Sequence, residues 1–304
     1  MDAAPEKCKD KSGEEVELVF TRPRLFTIDG VPLAPHNFCV KYWKQTREYL
    51  PRDDDIFIVT YPKSGTTWLQ EIFFSLFNGR QPKDIKERAI HCPFLEFSGT
   101  DLCNTMYRPG ALKIHMRFEH SPYAANAKYI YCVRNPKDCC VSFYFHSLTT
   151  LENFKDCSFE EYFEYFMEGR LEFGNYWQHL ESWYPNIGNG NVLFLTYEDM
   201  KEDILRELAK IGDFIGGEWG MKLKGEKAKE VAELSSFKNM KSLFTAGGDG
   251  DFVRKGIVHD WKNHLTDEMS QRIERETYAR LKDVCPDLLK QWEDLGVLSG
   301  SGEN

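Results

Sequence analysis

One stretch constrains the fold more than any other. Ile56-Phe57-Ile58-Val59-Thr60 is an unbroken β-branched and aromatic run, the pattern of a strand buried on both faces. It leads into Tyr61-Pro62-Lys63-Ser64-Gly65-Thr66-Thr67-Trp68. Beyond that turn, Trp68, Leu69, Ile72, Phe73, Leu76 and Phe77 recur at helical spacing until Gly79. A strand, a tight turn and an amphipathic helix in this order leave the first helical amides without intrahelical acceptors, pointing out at the turn. Pro62 fixes one φ angle and Gly65 lets the backbone close against a ligand. The helix dipole, the charge of Lys63 and the hydroxyls of Ser64, Thr66 and Thr67 complete an anion cradle. It is not a Walker A loop, which needs lysine after the glycine and a hydroxyl for magnesium; here Lys63 precedes Gly65.

The same alternation continues. Strands are expected at Ala111–His115, Tyr129–Val133 and Val192–Thr196, and helices at Phe159–Gly169, Glu198–Ile215 and Thr266–Leu281. Strands that alternate with helices indicate an α/β fold, a central parallel β-sheet flanked by helices, with ligands at the carboxyl ends of the strands. The 304 residues fit one large domain, expected over 21–298. The polar stretch 1–20 and the tail 299–304 are expected to be flexible.

Charge excludes several partners. A net charge of −9 argues against nucleic acid and anionic membrane surfaces, while leaving room for a local cationic pocket. No apolar run approaches the roughly 20 residues a membrane span needs. Met1–Glu15 is charged and lacks the apolar stretch of a signal peptide, so the expected location is the cytoplasm. The 9 cysteines are scattered with no CxxC spacing, which fits free thiols rather than zinc or disulfides.

Further motifs flank the turn, one before it and the others after it. Arg22-Pro23-Arg24-Leu25-Phe26 leads to Gly30-Val31-Pro32-Leu33. Tyr131-Cys132-Val133-Arg134-Asn135-Pro136-Lys137-Asp138 leads to Val141-Ser142. Then come Tyr197-Glu198-Asp199-Met200, Ser235-Ser236-Phe237-Lys238-Asn239-Met240 and Phe252-Val253-Arg254-Lys255-Gly256. With Tyr61–Trp68, this series resembles the cytosolic sulfotransferases over most of the chain. The resemblance implies a P-loop-nucleotide-kinase-like fold and transfer of a sulfuryl group from 3′-phosphoadenosine 5′-phosphosulfate (PAPS), leaving PAP, to a hydroxyl or amine of a small acceptor.

Roles follow from that resemblance. His115, in Lys113-Ile114-His115-Met116, matches the family's catalytic position and is the expected base; histidine accepts protons near neutrality. Lys113 and His115 are two apart on a strand, so they share a face. Lys63 is expected beside the bridging oxygen, Lys113 at the sulfuryl group, and Ser142 at the 3′-phosphate, where it also restrains Lys63. Ser64, Gly65, Thr66 and Thr67 hold the 5′ end. Arg134, with its planar fork, joins Arg254, Lys255 and Gly256 at the 3′-phosphate. Trp68 and Phe237 sandwich the adenine, with Tyr197, Ser235, Ser236, Met240 and Phe252 around the nucleoside. No metal is expected.

The chain departs from the family's dimerisation segment, K-x-x-x-T-V-x-x-x-E. Its own stretch runs from Lys262 to Gln271 with Asp267 in place of valine. An acidic group inside a small apolar contact is unfavourable unless paired, so a monomer or a differently built dimer is expected. For the acceptor, Phe73–Phe77, Phe94–Phe97, Phe143–His146 and Phe244 are expected to wall an apolar pocket suited to a phenol, catechol or other small aromatic. Glu152 or Asp101 is a candidate partner for an amine, and a steroid-type alcohol is the alternative. Two other classes stay open: a P-loop kinase, disfavoured by the lysine position, and a nucleotide-binding relative without catalysis.

Overall fold

A computed structural model describes residues 6–151, 154–247 and 252–300. Its centre is a four-stranded parallel sheet built from β6 (Ile56–Val59), β7 (Leu112–Ile114), β8 (Lys128–Val133) and β9 (Val192–Thr196), in the spatial order β7-β6-β8-β9. The chain leaves β6 and β8 toward opposite sides of the sheet. That reversal opens a crevice at their carboxyl ends, where open α/β sheets take ligands.

Both faces of the sheet are dry, as the unbroken apolar run of β6 requires. Phe57 and Val59 join Tyr129, Tyr131, Leu112 and Ile114 in one core, closed by the Pro136–Thr150, Tyr176–Trp183 and Asp267–Leu281 helices. Ile58, Ile130, Cys132 and Leu195 face the other way, against the Thr66–Asn78 and Ile204–Ile215 helices. Fully burying a side chain of this size stabilises by about 1.5–3 kcal/mol.

Two expectations change. The helix expected over Glu198–Ile215 is two helices, Tyr197–Glu202 and Ile204–Ile215. Asp203 leaves the helical region (φ −147°, ψ 90°) and its carboxylate accepts the Arg206 amide, so it caps a new start. Within the stretch 1–20 expected to be flexible, residues 1–5 lie outside the described residues, as do 301–304 of the tail, and the rest carries β1 (Lys7–Lys9) paired with β2 (Glu15–Glu17); β3 (Phe20–Thr21), β4 (Arg24–Ile28) and β5 (Val31–Leu33) come next. Val16, Leu18 and Phe26 are buried there with Trp43, Met116 and Phe173, and that burial holds the ribbon in place.

Asp267 also has a local explanation. Thr266 caps the Asp267–Leu281 helix by accepting the Met269 amide, and Asp267 and Glu268 occupy the first turn, where the helix dipole favours negative charge.

Candidate active site

The turn after β6 combines two unusual backbone conformations. Lys63 has φ +71° and Gly65 φ +103°, and the helix begins immediately at Thr66. A lysine at positive φ is strained, and such strain concentrates where backbone groups are aimed at ligands. The reversal between β6 and β8 then brings Arg134, just past the end of β8, beside this turn. Its guanidinium donates to the Lys63 carbonyl (3.4 Å) and the Ile257 carbonyl (3.0 Å), and stacks 4.4 Å over the Tyr197 ring. Arg134 therefore joins the turn to the distant Arg254–Gly256 segment.

One cavity collects most of the residues expected from the sequence. Lys63, Gly65, Thr66, Thr67, Trp68, Lys113, His115, Arg134 and Ser142 line it from the sheet side. Tyr197, Phe237, Met240, Phe252, Arg254, Lys255 and Gly256 line it from the other. Gly256 has φ +63°, and a Cβ there would fall 2.3 Å from the Phe237 ring, so only glycine permits this approach. Three expected residues do not line the cavity. Ser64 is fully buried with its hydroxyl toward Cys139, Ser235 donates to the Val231 carbonyl, and Ser236 precedes the Phe237–Ala246 helix as its cap residue. Hydroxyl spacing alone could not tell which side chains face inward.

The acceptor stretches divide in the same way. Phe145 and His146 line the cavity, while Phe73, Phe74 and Phe143 are core residues. Phe94 packs against the His115 ring at 5.1 Å, and Phe244 stacks on Phe252 at 4.7 Å. Asp101 is exposed in the first turn of its own helix and does not line the cavity. Glu152 lies outside the described residues.

His115 sits just past the end of β7, buried, with its Nδ1 2.6 Å from the Thr60 carbonyl oxygen at the end of β6. A carbonyl can only accept, so Nδ1 carries the proton and Nε2 keeps its lone pair. Burial, and then the charge of Lys113, hold the ring's pKa well below the ordinary histidine value. The Glu96 carboxylate fixes the backbone here, accepting from the amides of His115 (2.5 Å) and Met116 (3.0 Å). Thr60 also bonds Thr66 through their hydroxyls at 2.6 Å, linking the His115 shelf to the anion turn.

Lys63 and Lys113 are each pushed down to about 7, foremost by burial. The charges of Arg134 and Lys113 add to the effect on Lys63. Sequence reasoning missed two carboxylates that organise the cationic half. Asp260, 1% exposed, binds Arg254 (2.5 Å) and Lys255 (2.7 Å), which hold it well below the usual carboxylate range. Asp138, also 1% exposed, accepts from the amides of His259 and Trp261 and from the Asn135 side chain. Both stood inside or next to quoted motifs, but nothing in their spacing signalled what they would bind.

Comparison with known proteins decides the family. The sulfotransferase domain model matches residues 53–284. The chain belongs to the sulfotransferase family. Mouse sulfotransferase 1E1 is 34% identical over 265 residues, covering 80% of this chain and 88% of the relative. Mouse sulfotransferase SULT7A1, solved in complex with PAP, superposes with a TM-score of 0.73 at 26% identity, covering 89% of this chain and 99% of that one. An Arabidopsis thaliana putative steroid sulphotransferase superposes with a TM-score of 0.63 at 26% identity, covering 85% and 87%. The motifs of this sulfotransferase from Tyr61 to Gly256 lie within the matched domain. No helix among its described residues is long and apolar enough to cross a membrane.

Proposed function

We propose that this sulfotransferase moves the sulfuryl group of PAPS to a hydroxyl of a small aromatic acceptor, a phenol or catechol, with His115 as general base. The observation that carries the reading is the placement of His115 Nε2 and Lys113 in the same cavity as the Lys63–Trp68 turn and Arg134. The residues fit a nucleotide bearing phosphate at both ends. The buried Nε of Arg134 and Nε1 of Trp68 have no protein partner, and Gly256 brings backbone against the Phe237 ring.

When bound, PAPS supplies an activated sulfuryl group on a phosphate leaving group. The amides and hydroxyls of Thr66 and Thr67 hold the 5′ end, and Lys63 places positive charge where negative charge develops on the leaving oxygen. Arg134, Ser142, Arg254 and Lys255 hold the 3′-phosphate, with Trp68 and Phe237 against the base. His115 Nε2 takes the proton of the acceptor hydroxyl as its oxygen attacks, while Thr60 keeps the ring oriented through Nδ1. Lys113 adds charge on the acceptor side. In-line displacement of this kind gains most of its rate from positioning and electrostatics. The likeness to an Arabidopsis thaliana putative steroid sulphotransferase favours a steroid-type alcohol as the second reading.

Radiolabelled PAPS offered with phenols, catechols and sterols tests the reading; transfer to a phenol or catechol is expected. Tight PAP binding without transfer to any acceptor would favour a binding protein, and transfer to sterols alone would favour the second reading.

The lysines give a pH prediction. With pKa values of about 7 in the free protein, Lys63 and Lys113 are largely neutral at pH 8. An anion favours their charged forms, so PAP binding raises both values. A phosphomonoester, with its second pKa near 6, is already ionised at pH 8. PAP binding at pH 8 should therefore take up protons and weaken as pH rises further. Calorimetry in buffers of different ionisation enthalpy reads this directly, and proton release or no exchange would contradict it.

A further inference from the structure

We propose that the acceptor half of this cavity selects hydroxyl compounds that carry no positive charge, with His146 as the residue that sets the selectivity; the inference rests on the acceptor reading above. A cationic acceptor needs either a carboxylate or an open aromatic face. Among the described lining residues there is no aspartate or glutamate. The faces of three nearby rings are already covered by the protein's own basic side chains. Lys113 Nζ lies 3.7 Å over Phe94, Lys63 Nζ 4.5 Å over Phe252 and the Arg254 guanidinium 4.5 Å over Phe145. Phe94 is also stacked on Phe97, and Phe252 on Phe244 at 4.7 Å with their planes 2° apart, so those rings pack against other rings as well.

His146 stands one helical turn beyond Ser142 on the Pro136–Thr150 helix, so both project to the same side. Its ring meets Phe252 edge-on at 4.9 Å, and its Nδ1 has no hydrogen-bond partner. Burial, followed by the charges of Lys63 and Lys113, holds it well below the ordinary histidine pKa, so it faces the cavity as a neutral imidazole. A neutral imidazole hydrogen-bonds a hydroxyl or carbonyl on an acceptor and gives an ammonium no counter-charge. The nearby buried carboxyls do not line the cavity: Glu96 accepts the His115 and Met116 amides through Oε1, its Oε2 having no partner, and Glu172 accepts the Asn37 side chain.

The test pairs 4-propylphenol with tyramine, which share ring and hydroxyl and differ in a methyl or an ammonium. Affinity for the protein–PAP complex and kcat/KM with PAPS are measured for each, in wild type and His146→Glu, with PAP affinity as the folding control. Wild type should prefer 4-propylphenol at least tenfold in both measures, and His146→Glu should reduce that preference at least tenfold. Equal use of tyramine by wild type, or an unchanged ratio in His146→Glu with PAP binding intact, would overturn the inference. If both phenols bind with the expected ratio and neither is sulfated, the acceptor reading fails while the selectivity stands. If neither phenol binds, both fall.

Discussion

Alanine at His115 is expected to lower kcat by about 10²–10⁴-fold while changing PAP affinity less than threefold. The magnitude is that of a positioned general base. Its selectivity follows from where the ring sits. His115 is held by the Thr60 carbonyl through Nδ1, which leaves Nε2 unprotonated toward the cavity. Because burial and Lys113 keep its pKa well below the usual value, the ring is already in the basic form across the neutral range. Loss of the base should therefore depress the rate at every neutral pH without shifting the profile. The residues proposed for the 3′-phosphate are on other elements, so nucleotide binding should survive. Single-turnover transfer from radiolabelled PAPS to a phenol, with calorimetry of PAP, separates the two quantities. A variant retaining kcat within threefold of wild type would remove the base assignment, and one that also lost PAP binding would show a structural defect instead.

The second large effect lies away from the reacting atoms. Asp138→Ala should lower stability by about 2–4 kcal/mol, because the part-buried amides of His259 and Trp261 lose their acceptor and the Asn135 side chain keeps only Glu198. For a chain of this size that corresponds to roughly 10 °C in apparent Tm. The same substitution should weaken PAP binding at least tenfold. Asp138 ties the start of the helix that follows Arg134 to the segment just beyond Arg254–Gly256, so it holds the two ends of the cationic half in register. His259, at φ +68°, depends on that tie to keep a conformation unfavourable for a side chain. Asp138→Asn, which retains one acceptor oxygen, should fall between. Thermal melts with and without PAP decide the matter: a Tm within 2 °C of wild type and unchanged PAP affinity would show that Asp138 carries neither role.

The parts of the site legible in the sequence are those encoded by near neighbours. Gly65, Lys63 and the hydroxyls of Thr66 and Thr67 take their places because a buried strand must turn sharply into an amphipathic helix. The parallel sheet was legible for a related reason, since β6 and β8 are apolar on both faces. Two features escaped a local reading. The direction of Ser64, Ser235 and Ser236 depends on which side of each turn the core occupies. The break at Asp203 arises because a single capping carboxylate interrupts an otherwise continuous helical pattern.

The sequence by itself determined that this protein carries Lys63, Gly65, Thr66 and Thr67 at a strand-to-helix turn, and the ordered motifs around it pointed to the family. Only the tertiary structure decided the protonation of His115, because the carbonyl that fixes it belongs to Thr60, 55 positions away on another strand. It alone showed that Asp138 reaches His259 across 121 positions and that Lys63, Lys113 and Arg254 lie over the rings of Phe252, Phe94 and Phe145. Backbone geometry follows from adjacent residues through φ and ψ. Proton placement, charge balance and ring occupancy are set by groups that meet only when the sheet and its helices have closed.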